Sequence, residues 1–257
     1  ELVEPAEQNG YDVISAGHMD SYSITGCYYN MVHQLEPSDE DMLLRALDGE
    51  ISWQQDMFRL PMEAYKKMHE AGVWSIDSIS KDYQVQAWGD WLERKAIGIW
   101  CNGDWFAGSC PPEENNPDNP NIGIFQYPLV NEDATPAYNW GFGTDLAIYS
   151  KGEHQDLALE FVKFTNSPEA AEIFVKNYVN PAAAGAINME TFEETDNPIF
   201  NDCVKMFTYK GGKSSTYFYP HADPQRALFD GIINVMIGQD TIDNVLANLD
   251  DVCGYEG

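Results

Sequence analysis

The chain has 257 residues, 44% of them hydrophobic, enough for one large domain or two lobes around a real core. Forty-two acidic residues against fourteen basic ones give a net charge of −28, which repels phosphate backbones and anionic headgroups over a Debye length of roughly 8 Å and argues against nucleic acid and membrane surfaces as partners. A neutral ligand that stacks on rings suits that charge and the seven Trp, fourteen Tyr and twelve Phe, although acidity that only keeps the surface soluble explains the same figure.

Residues 1–10 read as the tail of a helix stopped by Gly10, followed by a short strand in "YDVIS". "SYSITGCYYNMVHQL" has the apolar and aromatic spacing of a helix with Ser or Asp at its N-cap. "PSDEDMLLRALDGE" is a helix with a Gly stop, and another runs from about Met57 to Gly72 with Leu60, Ala64, Tyr65 and Met68 on one side. "SKDYQVQAWGDWLERK" is a further helix that turns Ala87, Trp91 and Trp88 inward.

The unbroken apolar run "AIGIW" predicts a buried strand, and "CPPEENNPDNPN" an exposed loop. "IGIFQYPLV" and "NWGFGTDLAIYSK" read as strands, the first ending at Pro128. "HQDLALEFVKFTNSPEAAEIFVKNYV" is a helix pair joined where Ser167 caps and Pro168 opens the second helix. "NPIFNDCVKMFTYKG" is a helix stopped by Gly211 and Gly212, "STYFYPHADP" an extended aromatic segment, and two helices close the chain, the last capped by Thr241. Alternating strands and helices predict an α/β layered fold.

No apolar run reaches the roughly 20 residues of a membrane span and no basic-then-apolar leader opens at Glu1, so a soluble chain is expected. There is no phosphate loop, no Gly-x-Ser-x-Gly elbow and no His-Glu-x-x-His. His18, His33, His69, His154 and His221 are scattered without ligand spacing, so neither a metal nor a cofactor is expected. Five cysteines exclude a fully paired framework within one chain; Cys27, Cys203 and Cys253 read as small core residues or unpaired thiols. Cys101 and Cys110 are either a small disulfide loop bracing Trp105 or two free thiols. Among so many carboxylates, a glycosidase pair carries almost no signal.

The run "WLERKAIGIWCNGDWF" resembles a segment of the extracellular solute-binding proteins of ABC importers, where a helix leads into a strand and a Gly-x-Trp turn. In the same order, "NIGIFQYPLV" resembles that family's strand ending in Pro, the 139–178 region its Gly-rich strand and helix pair, "VNPAAAGAI" its Pro-small-small turn, and the last two helices its closing pair. Leu92, Lys95, Gly98 and Ile99 stand where the family has Phe-x-x-Gly and Ala-Met, which leaves the strand register open by a residue. The resemblance covers the chain from about Tyr11 onward.

It implies a periplasmic-binding-protein type II-like, two-lobe α/β fold. This chain would form mainly the C-terminal lobe, as residues 1–138 and 179–257, while 139–178 crosses into an N-terminal lobe that is largely absent. It further implies a carbohydrate ligand, an oligosaccharide, held between the lobes by rings that stack on its C–H faces and by polar groups on its rim. The matching positions are Trp105 of the Gly-x-Trp turn, Asp20 and Tyr22 of "HMDSYSIT", Trp140 and Gly141, and Tyr217, Tyr219 and Gln225 before the penultimate helix.

Each position has a plainer reading beside the ligand one: core for Trp105, Trp140 and Tyr22, and an N-cap for Asp20, while only one side of the Tyr217–Tyr219 segment can face inward. Arg226 is expected to pair with a nearby acid. The implied protein is a monomer and not an enzyme, exported as a periplasmic or lipid-tethered cell-surface protein, and it delivers its sugar to the transmembrane subunits of an ABC permease. The rivals are a carbohydrate hydrolase or lyase using paired carboxylates, and an adhesin or scaffold with no small ligand.

Overall fold

The computed structural model describes residues 1–38, 41–99, 103, 105–111, 113–115, 118, 121–137, 146–181, 193–207 and 222–257. These divide into two compact units: one from Glu1–Asn102, Tyr127–Phe142 and Gly211–Gly257, the other from Gly103–Gln126 and Gly143–Lys210.

The first unit is built around helix α2 (Ser21–Leu35), whose residues 23–34 are all buried. A helix buried on every face needs protein on every face. It finds it chiefly in α4 (Asp56–Glu70) and α10 (Ala222–Met236), through Phe58, Met62, Tyr65, Leu228 and Ile232, while α3 (Met42–Leu47) and α11 (Ile242–Cys253) add Met42 and Leu246 to the same core. Two buried tyrosine hydroxyls tie these helices together: Tyr28 donates to the Phe58 carbonyl at 2.8 Å and Tyr65 to that of Ile24 at 3.0 Å. Thr241 caps α11 by accepting from Asn244 N–H at 3.2 Å.

Asp250 of α11 is a buried carboxylate that organises the turn before α4. It accepts from Trp53 N–H at 2.6 Å, Gln54 Nε2 at 2.7 Å and Ser52 Oγ at 2.9 Å. The Trp53 ring is thereby set against Phe58, and its indole N–H donates to the Ala46 carbonyl at 3.0 Å.

After α1 (Val3–Gln8), strand β1 (Asp12–Ser15) pairs in parallel with β2 (Ala96–Ile99), Asp12 facing Ala96 and Ile14 facing Gly98. Between them, Tyr83–Ala87 is a π-helical turn that runs into the short helix α5 (Trp88–Leu92), so the single helix expected there is interrupted. Tyr83 and Ala87 are buried, whereas Trp88 and Trp91 are half-buried. In β2, Ala96 is buried but Ile97 is exposed, so the apolar run is only partly a buried strand. On α4 the buried side is Phe58, Pro61, Met62 and Tyr65, rotated from the expected stripe; Ala64 and Met68 pack at its edge.

Among the described residues, "IGIFQYPLV" joins no ladder, although a strand is expected there. At its end, Gln34 on α2 takes the place of a neighbouring strand. Its side-chain Nε2 donates to the Pro128 carbonyl at 3.1 Å and its Oε1 accepts from Val130 N–H at 2.8 Å, a grip on residues i and i+2 that one residue of a parallel strand would supply. Asn30 holds the same segment further on, donating to the Ala137 carbonyl at 2.8 Å. Of the expected strand "NWGFGTDLAIYSK", residues 139–145 lie outside the described set, and 146–149 are exposed and unladdered.

In the second unit, α6 (Phe106–Ser109), α8 (Pro168–Lys176) and α9 (Pro198–Phe207) supply the buried Phe106, Ala107, Ala170, Ala171, Ile199 and Phe200. Asn197 joins two of them: its Oδ1 accepts from Phe200 N–H at 2.9 Å and its Nδ2 donates to the Ala107 carbonyl at 2.8 Å. As expected, Ser167 caps α8 with Pro168 in its first turn. No residue of α7 (Gln155–Thr165) is buried, and its Leu157, Phe161 and Phe164 form an exposed stripe at i, i+4 and i+7. The expected glycine stop after α9 lies outside the described residues.

Two outcomes follow from this packing. Asp250→Ala strands a buried backbone donor and two side-chain donors, so it should lower stability by about 2–4 kcal/mol in urea unfolding, with Asp250→Asn costing less. Because carboxylates outnumber cations threefold, the thermal midpoint should rise by a few degrees from about 0.1 M to about 1 M sodium chloride as self-repulsion is screened.

Candidate functional site

In open α/β sheets, ligands meet the loops that follow the carboxyl ends of strands. Here β1 delivers the loop 16–20, and four contacts pin it to the segment before α5. Ser15 Oγ donates to the Ala87 carbonyl at 2.8 Å, His18 N–H to Ser78 O at 2.7 Å, Met19 N–H to Lys81 O at 3.1 Å, and Tyr83 N–H to Asp20 Oδ2 at 3.3 Å. Ser23 Oγ donates back to the Gly17 carbonyl. Gly17 is required by contact: a Cβ there would overlap the backbone of Asp82 and Tyr83.

Asp20 thus has the extended backbone of an N-cap, but its side chain makes no capping bond to α2 and instead holds the π-helical turn. Next to it Met19 is exposed. Beneath the loop, His18 is fully buried, and that burial, reinforced by the charge of His69, brings its pKa down to about 3. The sequence shows His18 only as one scattered histidine; the signal was its place shortly after a strand, between Gly17 and Asp20.

Trp105 stands just before α6, with 41% of its surface exposed. Its ring folds back over Gly103, where any Cβ would overlap the indole. The ring thus rests on its own turn and is open to solvent, which does not fit the core reading of Trp105. Asp20 and Gln225 belong to the first unit and Trp105 to the second.

Gln225 lies within α10 rather than ahead of it, and is half-buried there. Arg226 pairs with Asp230 at 2.7 Å and lies over the Phe229 ring. Trp140, Gly141, Tyr217 and Tyr219 lie outside the described residues, as does the side chain of Tyr22. So does Cys101, and with it the expected alternative of a Cys101–Cys110 loop; Cys110 is a free, buried cysteine, its pKa pushed up to about 11 by burial and by Glu114 and Glu113.

A shallow hollow of about 310 Å³ lies among Lys81, Val85, Gln86, Gly89, Asp90 and Glu93. No ring lines it, and its lysine is already bound to Asp90 at 2.7 Å, which holds that carboxyl below its usual range. Among the described residues, no group of three or more His, Cys, Asp or Glu side chains is placed to hold a metal ion.

No protein-family profile and no curated protein matches the sequence. Solved structures do match. A chitin oligosaccharide binding protein superposes with a TM-score of 0.71 at 14% identity, over 98% of this chain and 62% of its own. A sugar transporter from Bacillus licheniformis, in complex with stachyose, gives 0.65 at 17% identity, over 97% and 62%. A protein of xylan utilization in Caldanaerobius polysaccharolyticus gives 0.62 at 11%, over 97% and 63%. The chain therefore has the periplasmic-binding-protein type of fold that its sequence resembles, realised as many helices on a small sheet, and it spans about three-fifths of the length of these proteins.

Gly17→Ala tests the loop geometry. It should destabilise the first unit by about 1–3 kcal/mol, the cost of overpacking a backbone-to-backbone contact, and expose Trp74 and Tyr83 to solvent quenchers; unchanged unfolding would refute the close approach.

Proposed function

We propose that the chain is the ligand-binding part of an extracellular solute-binding protein, which captures a carbohydrate, an oligosaccharide, and delivers it to the transmembrane subunits of an ABC permease. The observation that carries this reading is the likeness over 97–98% of the chain to proteins named for chitin oligosaccharide and for stachyose. Those are binding and transport proteins, which supports a protein that binds and does not turn over its sugar. The exposed Trp105 ring supplies the stacking platform, and Asp20 and Gln225 supply polar contacts, with Tyr22, Trp140, Gly141, Tyr217 and Tyr219 as the further ligand residues. The protein acts as a monomer, outside the cell or in the periplasm, tethered by lipid where no outer membrane retains it.

In this reading residues 1–138 and 179–257 form one lobe and 139–178 crosses to the other, and closure of the two traps the ligand. The stripe Leu157, Phe161 and Phe164 falls in the crossing segment, and an apolar stripe is what a helix docking on a second lobe carries.

Calorimetric titration with chitotetraose, stachyose and xylotetraose tests the reading. At least one should bind, and Trp105→Ala should weaken it about tenfold, roughly 1.4 kcal/mol. Silence with all three counts against a sugar ligand, and appearance of shorter sugars would turn the protein into a hydrolase. For the lobe assignment, the 257-residue chain should bind an apolar dye, and Leu157→Ser with Phe161→Ser should at least halve the signal without lowering the unfolding midpoint; unaltered dye binding would remove the docking face.

A further inference from the structure

His18 is held by two handles on one residue: its backbone N–H donates to the Ser78 carbonyl at 2.7 Å, and its Nδ1 shares a hydrogen bond with Ser78 Oγ at 3.0 Å. The ring lies edge-on to Trp74, with centroids 5.0 Å apart, and 6.4 Å from Tyr65. Its Nε2 is buried with no hydrogen-bond partner among the described residues. A neutral imidazole can occupy such a place at modest cost. An imidazolium would carry its charge and a second N–H donor out of water with one hydroxyl to receive them.

The groups around it do little to help. Tyr65 and His69 face it from α4, and a charge on His69 opposes one on His18. Ser78 and Trp74 offer a hydroxyl and an aromatic edge. Lys81, whose carbonyl receives Met19 N–H, has its ammonium on Asp90, and Asp20 turns its Oδ2 to Tyr83 N–H.

We propose that His18 is a proton-operated latch on the β1–α2 loop: while neutral it keeps residues 16–20 docked on the segment 78–87, and its protonation undocks them. The two states differ by the contacts of His18, Met19 and Asp20 that close the loop. The direction follows from linkage. The closed form keeps the imidazole neutral down to about pH 3, whereas an undocked loop returns it to the ordinary value of 6.5. Docking is therefore fully favoured above about pH 6.5 and is lost progressively as pH falls, the open-to-closed ratio rising up to tenfold per pH unit. The consequence for ligand alone rests on the sugar-binding reading: Asp20 belongs to the wall that loosens, so acid promotes release.

Hydrogen exchange on the full chain, corrected for intrinsic rates, tests the latch without any ligand. Between pH 7.5 and 4.5 the amides of His18, Met19 and Tyr83 should lose protection by up to about a hundredfold relative to those of α11, and His18→Gln should flatten the difference. The latch is overturned if loop and α11 amides lose protection in step, or if His18→Gln keeps the slope. If that variant does not fold, the wild-type comparison alone decides. Titration with chitotetraose and stachyose at both pH values separates the two ideas: binding at neither pH sinks the sugar reading and leaves the exchange result standing, whereas equal affinity at both removes the link from latch to ligand.

Discussion

Helix α2 is enclosed by protein along its middle twelve residues, and five of those, Ser23, Thr25, Asn30, His33 and Gln34, are polar. Inside a protein such groups must find partners, since an unanswered one costs on the order of 1–3 kcal/mol. That requirement, more than the apolar contacts, determines what lies against the helix. Ser23 draws in the backbone at Gly17, Asn30 and Gln34 draw in the segment 128–137, and Tyr65 reaches across from α4 to the Ile24 carbonyl. The helix is a core element and also the hub from which the loops of its unit are positioned.

The loop after β1 shows how this reaches a functional surface. Gly17 permits a backbone approach that a side chain would block, and His18 fills the space beneath without bringing a charge. Asp20 is left at the helix start with its carboxylate on the Tyr83 N–H. The side chains that a ligand would touch are thus placed by residues that no ligand reaches. Trp105 follows the same logic in the second unit, where the missing side chain of Gly103 provides the seat for an exposed indole.

Much of the architecture was legible because it is written in local rules. The glycine stops, the Ser167 and Thr241 caps and the helices they bound depend on neighbours in sequence. The run "IGIFQYPLV" misled because β propensity describes a segment that fits a pleated surface, not one that has a neighbouring strand; a side-chain amide ninety-odd residues earlier supplied the pairing instead. The π-helical turn at Tyr83–Ala87 was likewise hidden, since its contacts, Tyr83 N–H to Asp20 and the Ala87 carbonyl from Ser15, are to residues some sixty to seventy positions away. At the site, Gly-x-Trp was readable as a motif but not as a ring folded over its own glycine, and His18 was invisible because burial is a property of the fold.

The grip of Gln34 on Pro128 and Val130 bears on behaviour that packing alone does not describe. An extended apolar segment with unmet amides and carbonyls is a template on which another chain can add a strand. Here the Pro128 carbonyl and the Val130 N–H are taken up by a side-chain amide, which ends after a single residue and offers no onward edge. A strand adding at Pro128 and Val130 would have to displace that amide first.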